Sequence, residues 1–179
     1  MDAISDNVTS VLHLVNTFCL KIKFYNDKRK FEDAVCTARI ILEKIGESIY
    51  LKPVNELDIT RTKNLIVGNS NEELYGMKLM ENERSLAILR ILDSIVTSSY
   101  FTNPTLNESI GRRIVELSFQ HGISKFSPLG LVGFGQILCR KKDKLGFRFG
   151  LLGLHFAEKN QAKEVLIWGK FYKLTLMIW

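Results

Sequence analysis

Gly146, Gly150, Gly153 and Ala157 stand at i, i+4, i+7 and i+11, which puts all four on one face of a helix. Glycine costs a helix interior about 1 kcal/mol relative to alanine. Three on one face therefore need an offsetting gain, and the close approach of a neighbouring helix supplies one. The stretch Phe119–Ala157 reads as an αα-hairpin built for that approach. Gly122 closes one helix and Ser127-Pro128 opens the next, Ser127 as cap and Pro128 in the first turn. A basic turn at Arg140-Lys141-Lys142 then leads into the small-residue helix. Gly146, Gly150, Gly153 and Ala157 are read as helix-packing residues.

The rest of the chain keeps the helical period. Val8, Leu12, Val15, Cys19 and Ile22 form one apolar stripe, and Asn26-Asp27 marks a turn. Phe31, Ala34, Val35, Ala38, Ile41, Leu42 and Ile45 form the next stripe, with Gly46 placed as a C-terminal cap. Tyr25, Phe31 and Ala34 sit near the aromatic and alanine positions of a tetratricopeptide (TPR) hairpin, a partial match. A helix is expected from Glu56 to Val67; Gly68-Asn69-Ser70-Asn71 then reads as a loop with an N-cap at its end, and a short helix with Glu72 and Glu73 in its first turn is expected to about Leu79. A single strong helix is expected from Glu83 to Ser99, ended by Tyr100 and Phe101 as anchors. Asn103-Pro104 starts another, through Leu106, Ile110, Ile114 and Leu117, and a last helix is expected over Gln161–Trp179. Alternation of period two never persists, so no strand is expected. The fold class is all-α, a TPR-like α-solenoid of antiparallel helical hairpins. Residues 1–179 read as a single helical-repeat domain, and the apolar, uncapped ending suggests a fragment of a longer protein.

Composition narrows the function classes. Proline is limited to Pro53, Pro104 and Pro128, so helices run long. Cys19, Cys36 and Cys139 are odd in number and scattered, as expected of reduced, half-buried thiols in a cytoplasmic protein. No basic n-region with an apolar core opens the chain, and no long uncharged apolar run suits a membrane span.

No phosphate loop is present, and Gly133-Phe134-Gly135 lies in a helical pattern rather than after a strand. His13, His121 and His155 are far apart, and no cysteine pair has metal-ligand spacing. Glu116, His121 and His155 are the only polar groups that assemble even loosely into an enzyme site. No catalytic, cofactor-binding or metal residue is assigned, and no cofactor is expected. Two basic runs remain, Lys28-Arg29-Lys30 and Arg140-Lys141-Lys142 with Lys144, each at a hairpin turn. With the net charge of +6, they are candidate contacts for nucleic acid or another polyanion. A solvated turn is the simpler reading of each, and stacking aromatics look absent because Tyr25 and Phe31 fall at core positions.

Three stretches resemble a known family. KFEDAVCTARIILEKIGE (Lys30–Glu47), NSNEELYGMKLMENERSLAILRILDSIVTSSYF (Asn69–Phe101) and the segment from Phe119 to Trp179 are similar to the helical-repeat region of large multidomain signalling proteins. In those proteins the repeats follow a predicted AAA/STAND-type ATPase domain, alongside histidine kinase, serine/threonine kinase or cyclase domains. The resemblance implies a non-catalytic interaction and regulatory segment in signal transduction, with a protein partner or adjacent domains of a larger chain as its contacts. It carries over no catalytic residue, since the family's ATPase and kinase motifs have no counterpart here.

Overall fold

A computed structural model describes residues 2–48 and 55–161, with side chains from Leu14 onward. Among the described residues the chain is all-helical. The elements are α1 (Asp2–Asp27), α2 (Phe31–Lys44), α3 (Glu56–Asn64), α4 (Asn71–Tyr75) and α5 (Glu83–Ser94). They continue with α6 (Val96–Thr102), α7 (Pro104–His121), α8 (Ser127–Arg140) and α9 (Leu145–Lys159). The helix expected beyond Gln161, and the side chains of Val8 and Leu12, lie outside this description.

Helix α7 organises the body because it is apolar on two faces. Leu106, Ile110, Ile114 and Leu117 join Val15, Ile22, Ala34, Ala38, Ile41, Leu42, Ile88 and Leu92 in one core between α1, α2, α5 and α7. Val115 turns the other way, into a second core with Ile59, Leu74, Leu131, Phe134, Phe149 and Phe156. The hairpin α1–α2 leans on α5 and α6, while α7, α8 and α9 pack in succession. Phe134 and Phe149 meet edge to face at 5.0 Å between ring centroids, worth about 1 kcal/mol beyond their buried area.

The α8–α9 contact is close because backbone faces backbone. A Cβ on Gly146 would stand 2.6 Å from the Gly135 carbonyl oxygen and 2.7 Å from the Cys139 amide nitrogen. A Cβ on Gly135 would stand 2.7 Å from the Gly146 carbonyl oxygen and 2.9 Å from the Gly150 nitrogen. A Cβ on Gly153 would meet Val132, Leu131 and the Pro128 carbonyl at 2.8 to 3.0 Å, and Gly150 and Ala157 are buried on the same helix.

Several boundaries differ from the sequence expectation. The helix expected from Glu83 to Ser99 is two helices, broken at Ile95 (φ −112°, ψ 3°). The Ser94 carbonyl accepts from Asn26 Nδ2 at 2.8 Å, and Val96 O accepts from Asn107 at 2.9 Å. Side chains from α1 and α7 thus engage carbonyls at the junction and reorient the chain there. Helix α3 stops at Asn64 rather than Val67. Arg148 on α9 donates to the Ile66 carbonyl at 2.9 Å, to Asn71 Oδ1 at 3.1 Å and to the Asn69 carbonyl, clamping the loop that follows α3. The piece expected to reach Leu79 ends at Tyr75, and its start is Asn71, with Ser70 rather than Asn71 as the cap, in a capping box with Glu73. Residues beyond it are extended: Met80 N–H donates to Ile123 O at 2.9 Å, and Ile123 N–H to Lys78 O at 2.7 Å. Ser127 is not a cap. It is the first residue of α8, and its buried hydroxyl accepts from Ser124 N at 3.0 Å and Ser118 Oγ at 2.8 Å.

Candidate binding surface

Both basic runs fold into the same turn. Helix α1 ends with Arg29 N–H donating to Asn26 O at 2.9 Å and Lys30 N–H to Tyr25 O at 2.8 Å. Helix α8 ends with Lys142 N–H donating to Cys139 O at 2.9 Å and Asp143 N–H to Leu138 O at 3.0 Å. Each pair of bonds is a Schellman closure, whose first residue past the cap is left-handed. Gly46 fills that position after α2, at φ 70°, as its sequence suggests. At the two basic turns the residue is Arg29 (φ 55°) or Lys142 (φ 59°). The cations lie where the helix C-terminal dipole favours them, which offsets part of the strain of a side chain in this conformation. Lys142→Gly is therefore expected to raise the stability by about 1 kcal/mol in a urea melt. A loss of stability would mean that the lysine side chain holds the turn together.

The turns share one end of the body. Asn26 accepts from the Ser98 hydroxyl, Asn107 donates to Ser99 Oγ at 3.0 Å, and Arg140 donates to Glu108 at 3.4 Å. This chain of contacts runs from the first turn through α6 and the start of α7 to the second. Their surroundings nevertheless differ. Arg140 pairs with Glu108, and Lys141 pairs with Glu56 at 2.5 Å. Asp143, in the same turn, pairs with Lys63 at 2.6 Å. The hydrogen bond from Lys63, then that from the Leu145 amide, hold the Asp143 carboxyl below its ordinary value against the opposing effect of burial. Two cations of the second turn, Arg140 and Lys141, are thus paired with acids on other helices, while Lys142 and Lys144 are exposed and make no ion pair among the described residues. Lys28, Arg29 and Lys30 are exposed and make no ion pair among the described residues.

Aromatic rings do lie beside the first turn, contrary to the sequence expectation. Phe31, next to Lys30, is half-buried rather than core, and it stacks on Phe101 at 5.1 Å and 15° between ring planes. Tyr100 meets Phe101 edge-on at 5.4 Å. Tyr100 is 60% exposed and Phe101 64%, so neither is the buried anchor expected at a helix end. Because α6 starts afresh at Val96, Ser98 and Ser99 turn inward and the two rings turn out.

The other candidates are held in structural contacts. Glu116 receives Arg112 and Arg113, and it accepts from Thr62 Oγ1 at 3.2 Å. Arg113 also forms a two-pronged pair with Glu47 at 2.7 and 2.9 Å, and that hydrogen bond is the main cause raising its pKa. His155 stacks on Tyr75 at 4.1 Å, and His121 is the last residue of α7. Glu116 and His155 thus serve separate contacts rather than one centre. Gly133 and Gly135 lie within α8. Cys19 and Cys139 are half-buried and Cys36 is exposed; burial is the main cause raising the Cys19 thiol pKa. Among the described residues no group of three metal-ligating side chains converges, and no helix is long and apolar enough to cross a membrane. Comparisons with protein-family models, curated proteins and solved structures give no match.

Proposed function

We propose that this chain is a non-catalytic helical binding module, TPR-like and solenoidal in build, serving as the interaction and regulatory segment of a larger cytoplasmic signalling ATPase or kinase. One observation carries the reading: an exposed Tyr100–Phe101 pair stands beside an exposed arginine and two lysines at one end of a well-packed helical body. Aromatic and arginine side chains dominate the energetics of recognition surfaces. The long polar side chains meanwhile serve the framework. Arg148 clamps one loop, and Arg84 caps α2 through the Ile45 and Gly46 carbonyls at 3.0 and 2.9 Å. A paired-helix architecture offers an extended surface to partners or neighbouring domains.

The test is a double substitution, Tyr100→Ser with Phe101→Ser, in the full-length protein. The module reading predicts altered activity of the attached enzyme, with the thermal midpoint of this segment moved by no more than about 3 °C, since both rings are exposed. Unchanged regulation, or ATP turnover by the isolated segment, would contradict it.

A further inference from the structure

We infer that the face formed by Lys28, Arg29, Lys30, Phe31, Tyr100 and Phe101 binds single-stranded nucleic acid. The inference rests on the binding-module reading and names the class of its partner. Two independent features converge on one surface. The first is a cluster of exposed rings: Phe101 is 64% and Tyr100 60% exposed, and Phe31 supports Phe101 from one side in a near-parallel stack. A ring supported in this way presents its remaining surface as a platform. The second is three consecutive exposed cations whose first member follows α1 directly and whose last abuts Phe31. Bases stack on aromatic planes regardless of sequence, while lysine and arginine follow the phosphates. A duplex hides its base planes and so offers the rings little.

The acidic groups nearby limit the affinity without reversing the sign. Asp27 precedes the cations and Glu32 and Asp33 follow them, the latter two in the first turn of α2. Lys21 and Lys23 are exposed on the last turns of α1, and Lys21 stands 5.8 Å from the Tyr25 ring. Five cations against three carboxylates leave the face positive. The Arg140-Lys141-Lys142 turn, at the same end, has its first two cations in ion pairs and is the built-in control.

The probe is a fluorescently labelled oligodeoxythymidylate of about 12 nucleotides, within the site size of single-strand grooves, titrated with the chain and followed by anisotropy. Three neutralised phosphates predict a slope of about −2 for log K against log salt. Phe101→Ala and, separately, Tyr100→Ala should weaken binding by roughly 5- to 150-fold, the span of one lost base stack. Lys28→Gln with Arg29→Gly and Lys30→Gln should bring the salt slope close to zero; glycine suits the left-handed position of Arg29, so the turn is kept. Arg140→Gln with Lys141→Gln should change affinity by less than about 3-fold, because those cations are already paired. Circular dichroism checks the fold of each variant.

Equal binding of a duplex of the same length, insensitivity to Phe101→Ala and Tyr100→Ala in folded protein, or no oligonucleotide binding would each overturn the inference. Preferential binding to vesicles rich in phosphatidylserine would overturn it too, and would assign the face to a membrane surface. None of these outcomes touches the module reading, which fails on regulation or turnover instead.

Discussion

Gly146→Ala is expected to destabilise the chain by about 2 kcal/mol, although the same change in an exposed helix stabilises by about 1 kcal/mol. The sign reverses because the new methyl group has nowhere to go. Its neighbours at 2.6 and 2.7 Å are the Gly135 carbonyl oxygen and the Cys139 amide nitrogen, both backbone atoms. A side chain can rotate away from an intruder, whereas a helix backbone moves only as a unit. The α8–α9 packing would have to open, thinning the contacts around Phe134 and Phe149. Folded domains of this size hold only about 5–15 kcal/mol of net stability, so Gly146→Leu is expected to prevent folding altogether. Urea melts decide the matter: a midpoint that rises in Gly146→Ala would show that the helices stand further apart than described.

Gly122→Ala has the second large effect, expected at about 3 kcal/mol or more. Two costs add here. The backbone at Gly122 has φ 106° and ψ 173°, a conformation essentially reserved for glycine. A Cβ would also stand 2.7 Å from the Lys78 carbonyl oxygen and 2.9 Å from the Leu79 carbonyl carbon. That contact seats the extended Lys78–Met80 segment against Ile123. Hydrogen exchange should therefore show the amides of Met80 and Ile123 losing protection before those of the α1–α2 core. Retained protection with unchanged stability would contradict the described turn.

The parts legible in sequence are those governed by period and local chemistry. The small-residue face of α9 could be read because 3.6-residue spacing needs no knowledge of the partner, and Pro104 and Pro128 open helices for local reasons. Gly46 could be read as a cap because a left-handed residue favours glycine. What escaped was decided by distant groups. Nothing near Ile95 shows that Asn26 engages the Ser94 carbonyl and that Asn107 engages Val96. Without that break, Tyr100 and Phe101 read as anchors at a helix end instead of exposed rings. The Arg148 clamp was equally hidden, because two of its three acceptors are backbone carbonyls, which every residue possesses. The likeness of the two basic turns in sequence also concealed their difference. Glu108 and Glu56, which engage the second turn, lie on other helices, and Phe101 reaches the first turn from α6.

The backbone contact between α8 and α9 holds the second core together, and a nuclear Overhauser measurement addresses it directly. A Cβ built on Gly135 would fall 3.3 Å from the Gly150 Cα. A strong cross-peak between the α-protons of Gly135 and Gly150 is therefore the predicted result. Assigned glycine resonances without that cross-peak would contradict the close approach on which the arrangement of α8 and α9 rests.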